Sequence, residues 1–360
     1  MSNISHLSSN PRMPAEWEQH AATQLHWPSN SRTWPGKRLD LVEEVYCRII
    51  EELHFYEPIH LFVKDLETRN RMMQKLATRA VDLDRIIIHQ QKINDVWARD
   101  CGPIFVKEEG NFIITDWGYN AWGRKYAPWQ DDNSLPKYIA EKYALKRVEP
   151  GIILEGGSID VNGAGALLTS ESVLLNPNRN PEFSKAEIED KLKIYLGVNQ
   201  VIWLKKGLAG DDTDGHVDDL TRFLNEDTVL TMISEDPEDV NYEALQENLE
   251  ILKSVRLKDG RKLNIETLPL PQTKINETTV DGSEFVPASY ANFYIANNAV
   301  LVPLYDKRYD RQAMELFKKY YPQREIIGIE CADLVWGQGS IHCITQQWYG
   351  VLNSTAGKVG

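Results

Sequence analysis

Apolar and polar positions alternate along this chain in short, regular bursts. IFV (104–106) and FIITD (112–116) flank the turn Glu109-Gly110-Asn111 and predict a β-hairpin. Four more passages of this kind follow. SIDVNGAGALLTS turns at Asn162-Gly163, HVDDLTRFLNEDTVLTMIS at Asn225-Glu226-Asp227, and YANFYIANNAVLVPLY at Asn297-Asn298. The fifth, IHCITQQWYG, reads as a strand whose hairpin partner is reduced or lost at the C-terminus, with Cys343 just past its start. Behind each of the first four, apolar residues take helical spacing: SLPKYIAEKYAL, SKAEIEDKLKIYL, NYEALQENLEILKSV and DRQAMELFKKYY. A short apolar run then predicts a third strand: GIIL, QVIWL, LNIETLPL and EIIGIE. Ahead of this series, residues 1–36 read as irregular. They are followed by a helix with Leu41, Val45, Ile49 and Leu53 on one face, then by strands IHLFV and RIIIHQ around a second helix.

The order hairpin, helix, strand therefore recurs about five times. Polar residues mark the start of each hairpin: Asp100, Glu155, His216, Asn292 and Cys343. Repeated supersecondary units with chemistry at one end predict a closed radial array around a central site, against the plainer alternative of a three-layer α/β fold. The polar stretch Lys258–Thr279 reads as an insertion in one unit.

Composition narrows the function. The 360 residues are 42% hydrophobic and 26% charged, an ordinary globular balance. A net charge of −13 repels nucleic-acid phosphates and anionic lipid and favours small cations. No apolar run approaches the ~18–20 residues of a membrane helix. The polar start, MSNISHLSSNPRMPAEW, lacks the apolar core of a signal peptide. Four cysteines (Cys47, Cys101, Cys331 and Cys343) form no C-x-x-C pair, which fits a reducing compartment and predicts a cytoplasmic protein.

If the units are radial, Asp100, Glu155, His216, Asp218 and Cys343 converge. A nucleophile, an imidazole and three carboxylates suit a planar cation such as a guanidinium, which pairs bidentately with carboxylates while a thiolate attacks its central carbon. Each residue also has a plainer role: an Arg99–Asp100 ion pair, a turn at Glu155-Gly156-Gly157, a solvated His216, a buried Cys343. The acidic loop GDDTDGHVDD fails the EF-hand template, which would place Gly210 and Thr221 where carboxylates are required. A zinc site from His216, Asp218 and His342 has no helical His-x-x-x-His spacing behind it.

Several motifs carry a resemblance. RMPAEWEQHAATQLHWP, DVWARDCGP, DWGYNAWG, LEGGSIDVNG, NPNRNP, GDDTDGHVD and GSIHCITQQ occur in an order that resembles the agmatine deiminase family of the guanidine-modifying (pentein) superfamily, to which bacterial peptidyl-arginine deiminases are related. The resemblance implies a fivefold pseudosymmetric α/β propeller of ββαβ units, with residues 1–360 as one catalytic domain. It implies Cys343 as nucleophile, His216 as acid/base, Asp100 and Asp218 as guanidinium ligands, and Glu155 as their support. Trp97 would pack along the substrate, and Asp212 would meet the far amine of agmatine. The reaction so implied converts agmatine and water to N-carbamoylputrescine and ammonia, in putrescine formation, with no metal or organic cofactor. Nucleic acid and membrane are not implied partners, and self-association is compatible with the fold. Arginine, free or in a peptide, is the alternative substrate. A metal-dependent hydrolase and a non-catalytic polyamine-binding propeller are rivals from other classes. Two departures from the family pattern stand out: the nucleophile loop reads Gly337-Gln338-Gly339-Ser340 rather than GGGN, and Asp160 stands where relatives often carry His.

Overall fold

The computed structural model describes Leu7, residues 11–279 and residues 281–350. Among the described residues, sixteen strands form five small sheets. The hairpin β4 (Ile104–Glu108) and β5 (Asn111–Thr115) pairs antiparallel and β6 (Arg147–Val148) adds parallel to β5. The same pattern joins β7 (Ile159–Val161), β8 (Ala166–Ser170) and β9 (Gln200–Leu204), then β10 (Thr221–Phe223), β11 (Thr228–Ile233) and β12 (Asn264–Pro269), then β13 (Tyr294–Ala296), β14 (Ala299–Leu304) and β15 (Glu325–Glu330). The fifth sheet has the order β16-β1-β2-β3, from β1 (Ala22–His26), β2 (Ile59–Val63), β3 (Ile86–Gln90) and β16 (Thr345–Trp348). The result is a mixed α/β fold of five similar sheets.

The parallel third strand of each unit needs a crossover, and a helix supplies it. These are α1 (Arg38–Leu53), α2 (Leu66–Leu76), α3 (Leu135–Tyr143), α4 (Lys185–Leu196), α5 (Tyr242–Ser254) and α6 (Asp310–Tyr320). Local chemistry fixes their ends. Ser184 and Glu187 form a reciprocal capping box at the start of α4, and Gly197 closes it in the left-handed region. Ile188, Leu192 and Leu196 then fall on one buried face, packed with Val173 and Leu167. In the first hairpin Glu109 and Gly110 both take positive φ, the geometry that matches the twist of the paired strands.

Four expectations are corrected. GIIL is not the third strand of the first unit; Arg147–Val148 is, and GIIL contributes only an isolated bridge from Ile153 to Gly118. Residues 1–36 are not all irregular, because Ala22–His26 forms β1, every residue of it buried. That strand is the missing partner of the fifth passage: it pairs antiparallel with β16 and parallel with β2, so the two ends of the chain complete one sheet. Cys343 itself lies in a helical turn, Ile341–Ile344, immediately before β16 rather than inside it. The buried face of α1 is also rotated from the predicted stripe: Val42, Tyr46, Ile49, Ile50 and Leu53 are inside, whereas Leu41 is about half exposed. Among the described residues no helix is long and apolar enough to cross a membrane.

Candidate active site

Five turns, one ahead of each hairpin or of β16, carry the marked residues. They are Ala98–Cys101, Gly156–Ser158 with Glu155 as its N-cap, Val217–Asp219 with His216 as its N-cap, the turn from Ser289 to Asn292, and Ile341–Ile344. Side chains link them in a ring. Gly157 N donates to Asp100 Oδ1 (3.1 Å), and His216 Nε2 lies 3.9 Å from Glu155 Oε2. Asn292 Nδ2 donates to Asp219 Oδ1 (2.9 Å), and His342 N donates to Asn292 Oδ1 (2.8 Å). Arg99 Nε donates to the His342 carbonyl (3.3 Å), which returns the circuit to its start. All these groups are buried, so each link forms where water competes weakly.

Cys343 Sγ sits 3.1 Å from Asn292 Nδ2 and 3.7 Å from Asp218 Oδ2. Burial and the carboxylates of Asp218, Asp219 and Asp100 push its thiol far above the ordinary range. His216 Nδ1 is 3.7 Å from Asp100 Oδ1, and neither ring nitrogen has a hydrogen-bond partner. Burial disfavours its charged form, but Asp100, Asp218, Glu155 and Asp211 outweigh that and raise its pKa. Burial, with Asp218 and Glu155 adding to it, pushes Asp100 up to about 6, although His216 and the indole N–H of Trp122 (3.0 Å to Oδ2) oppose the shift. Burial acts in the same sense on Asp218, yet the His342 hydrogen bond (2.7 Å to Oδ2) and nearby cations hold its pKa below the usual value. Oδ1 of Asp218 and Oε2 of Glu155 have no hydrogen-bond partner, while Glu155 Oε1 accepts from Arg179 Nε at 2.6 Å. The centre thus holds a protonated thiol and a surplus of unsatisfied acceptors, an environment short of one cation.

A cavity of about 500 Å³ opens onto this centre. Cys343, Asp100, Trp97 and Asp212 are all in its wall; His216, Asp218 and Glu155 lie behind it. Trp97 is pressed against the nucleophile loop so closely that a Cβ on Gly339 would stand 2.3 Å from its ring. Asp212 accepts from Tyr126 Oη (2.5 Å), and burial together with Asp211 and Asp281 pushes its carboxyl up to about 7. Gln338 lines the wall with φ +76° and donates from Nε2 to Thr279 Oγ1 (2.9 Å). All seven sequence-derived residues therefore meet at one site.

Others were not singled out from the sequence. Asn292 was only a positional marker, yet its amide touches the thiol. Trp122 belongs to the quoted DWGYNAWG and Glu16 to RMPAEW, so the motifs held them but gave no reason for a role. Asp160 now has a physical account: it accepts from Arg222 Nε (3.0 Å) and Phe223 N (2.6 Å), anchoring a fully buried arginine beneath the site.

Among the described residues, two groups bring three metal-capable atoms within 4.8 Å: Asp218, Asp219 and Cys343, and separately His26, Cys101 and Asp132. In the second, His26 Nε2 faces Gln24 Nε2 at 2.7 Å and Asp132 accepts two backbone N–H groups, so the ligand atoms are already engaged. The zinc set of His216, Asp218 and His342 is not preformed either, because both nitrogens of His342 are engaged by carboxylates.

Residues 12–348 match the family described as Porphyromonas-type peptidyl-arginine deiminase. A Pseudomonas aeruginosa (strain LESB58) agmatine deiminase is 35% identical, over 93% of this chain and 95% of its own. The agmatine deiminase of Medicago truncatula is also 35% identical, over 95% of this chain and 98% of its own. Among solved structures, an Enterococcus faecalis agmatine deiminase described as catalysing its reaction superposes with a TM-score of 0.87 at 32% identity, covering 96% of this chain and 99% of that one.

Proposed function

The chain belongs to the Porphyromonas-type peptidyl-arginine deiminase family, and from that premise we propose that it is an agmatine deiminase, hydrolysing agmatine to N-carbamoylputrescine and ammonia. The observation that carries the reading is the buried centre itself: one thiol and one imidazole set among carboxylates whose free oxygens await a planar cation.

The guanidinium enters with its N–H groups on Asp100 and Asp218 Oδ1. Its positive charge offsets the carboxylates that hold the Cys343 proton and lowers the thiol pKa, so that the proton leaves to solvent through the cavity and the thiolate remains. Sulfur then bonds to the guanidinium carbon, giving a neutral tetrahedral adduct. His216, kept protonated by its carboxylate neighbours, gives a proton to one NH2 group; the C–N bond breaks and ammonia leaves. The remaining amidino-cysteine is a cation. Water adds to its carbon as His216 takes a proton back, the C–S bond breaks, the thiolate departs, and loss of a proton to solvent leaves N-carbamoylputrescine. Glu155, fixed by Arg179, holds the imidazole in place. No cofactor is needed for any of these steps.

At the far end of the cavity, Asp212 takes the primary amine, whose charge restores the ionised carboxylate. Trp97 offers its face to the tetramethylene chain. Agmatine is favoured over arginine because Lys125, the cation nearest Asp212, is already bound to Asp214 Oδ1 (2.8 Å) and to the Asp212 carbonyl. Arginine remains the second reading, since Arg32 and Lys64 also line this cavity. We read the five sheets as a fivefold pseudosymmetric propeller, the ring of side-chain contacts between the five turns supporting that view, with the whole chain as one catalytic domain. Its setting is the cytoplasm, in the formation of putrescine.

Ammonia release from agmatine and from arginine, by wild type and by Cys343→Ala, tests the proposal. Release from agmatine, lost in the variant and untouched by EDTA, is the expected result. Release from arginine alone would overturn the substrate, and activity surviving in Cys343→Ala would overturn the covalent route.

A further inference from the structure

Behind the nucleophile lies a buried chain of ionisable groups of which the reaction above uses only Asp218. His342 sits between two carboxylates: Nδ1 is 2.7 Å from Asp218 Oδ2 and Nε2 is 2.9 Å from Glu16 Oε2. Its ring is about 2% exposed, so water does not mediate either contact. Two hydrogen bonds of that length need two protons. A neutral imidazole supplies one, and its bare nitrogen would then face a carboxylate lone pair.

The surroundings decide where the second proton resides. Glu16 Oε2 also faces Arg222 Nη2 (3.1 Å) and Arg99 Nη2 (3.3 Å), and Glu16 Oε1 accepts from Ile295 N (2.8 Å). Arg222 in turn holds Asp160. Asp218, Glu16, Arg99, Arg222 and Asp160 are thus the charged groups around the ring. Both arginines favour an ionised Glu16, which leaves the protons on the imidazole.

We propose that His342 is a permanently charged positioning residue: an imidazolium, clamped by Glu16, that occupies Oδ2 of Asp218 and leaves Oδ1 turned toward the guanidinium. The role rests on the deiminase reading above, whereas the charge state does not. Asp218 Oδ1 has no partner and Oδ2 has two, the ring and the thiol, which is the asymmetry such a clamp produces. Without it, Asp218 is free to rotate and to take up a proton, and guanidinium binding fails with it.

Two measurements separate the parts. In ¹⁵N-histidine NMR of the full chain at pH 8, the resonance pair that vanishes in His342→Asn is expected to be an imidazolium with both nitrogens protonated. A single-NH tautomer would overturn the proposal whatever the substrate proves to be. In kinetics, His342→Asn is expected to lower kcat/KM for agmatine about a hundredfold, the scale of a misplaced binding group, mainly through KM. Glu16→Gln keeps an acceptor but removes the clamp's charge, so the alkaline limb of its pH profile is expected to move to lower pH. A folded Glu16→Gln with an unmoved profile, or a folded His342→Asn with kcat/KM within twofold of wild type, would overturn the role. Silence of the wild type toward agmatine would sink the deiminase reading and the role together, and leave the NMR result standing.

Discussion

A Cβ placed on Gly157 would lie 2.6 Å from Nδ1 of His216. The same methyl would be 2.8 Å from Asp100 Oδ1 and 3.0 Å from Asp218 Oδ2. Gly157 is therefore a contact point shared by three of the reacting groups, and its missing side chain keeps them within reach of one ligand. Gly157→Ala is expected to fold, since overpacking by one methyl costs about 1–3 kcal/mol. It displaces His216, however, and kcat/KM should fall about a hundredfold or more. Circular dichroism alongside the rate assay checks both; a folded variant with near-normal activity would mean the three groups need not meet at this point.

Trp122 sets the acid side of the activity profile. Its indole N–H stabilises ionised Asp100, whose carboxyl burial has already pushed up to about 6. Because the charged form binds the guanidinium, kcat/KM for agmatine is expected to fall as pH drops through about 6. Trp122→Phe removes the donor and keeps most of the packing. Asp100 then holds its proton to higher pH, and the acid limb should move upward. An acid limb that stays in place would assign it to another group.

The buried arginine beneath the site makes a stability prediction. Arg222 pairs with Asp160 and Glu16 and donates from Nη1 to the carbonyls of Ala291 and Phe293. Asp160→Ala strands part of that charge and leaves Phe223 N without its acceptor. Removing one partner of a buried pair costs about 3–5 kcal/mol, and Glu16 reduces the loss toward the lower figure. Denaturant unfolding should show it; a change under about 1 kcal/mol would mean that Arg222 does not depend on Asp160.

How the sequence conveyed this architecture depends on what each segment buries. The hairpins were legible because their turns carry the residues that positive φ requires, as at Gly110 and Asn298. The strand β1 was not, because Ala-Thr-Gln-Leu-His is polar at three of five positions yet wholly buried. Its polar groups are met inside: Gln24 Oε1 accepts from the Trp348 indole (2.8 Å), and Thr23 bonds Glu57 and Tyr294. Hydropathy cannot register partners that lie from 34 to 324 residues away. GIIL failed in the opposite sense, its apolar Ile152 and Leu154 being buried without any ladder to join. Asp100, Glu155, His216, Asp218 and Cys343 were legible from the repeated polar entries to the hairpins, and Trp97 and Asp212 only from the motif resemblance. Asn292 and His342 act through hydrogen bonds to other turns, and those exist only once the ring has closed.

Three neutral histidines buried away from the site give the chain a pH-dependent stability of its own. Burial lowers His26 to about 4, His60 to about 3 and His89 to about 2, with Lys142 adding to the shift in the latter two. In the unfolded chain each titrates near 6.5. Above that pH neither state binds the proton and the three side chains contribute no pH dependence. Below it the unfolded state takes up protons that the folded state refuses, so stability falls by about 1.4 kcal/mol per pH unit for each histidine until its folded pKa is reached. His216, whose folded pKa is raised, works in the opposite sense, adding stability only as pH falls from that raised value to about 6.5 and staying level below it. Asp100 and Asp212, raised to about 6 and about 7, also oppose the histidines, because the folded state binds their protons first, and urea midpoints measured from pH 7.5 to 4.5 report the balance. His89→Gln keeps polar contact with His60 but cannot titrate, so below about pH 6.5 it should lose less stability per pH unit than wild type, by about one histidine's share. Equal slopes would mean that His89 is protonated in the folded protein, and its 2.8 Å bond to His60 would then have to be a shared imidazole–imidazolium pair.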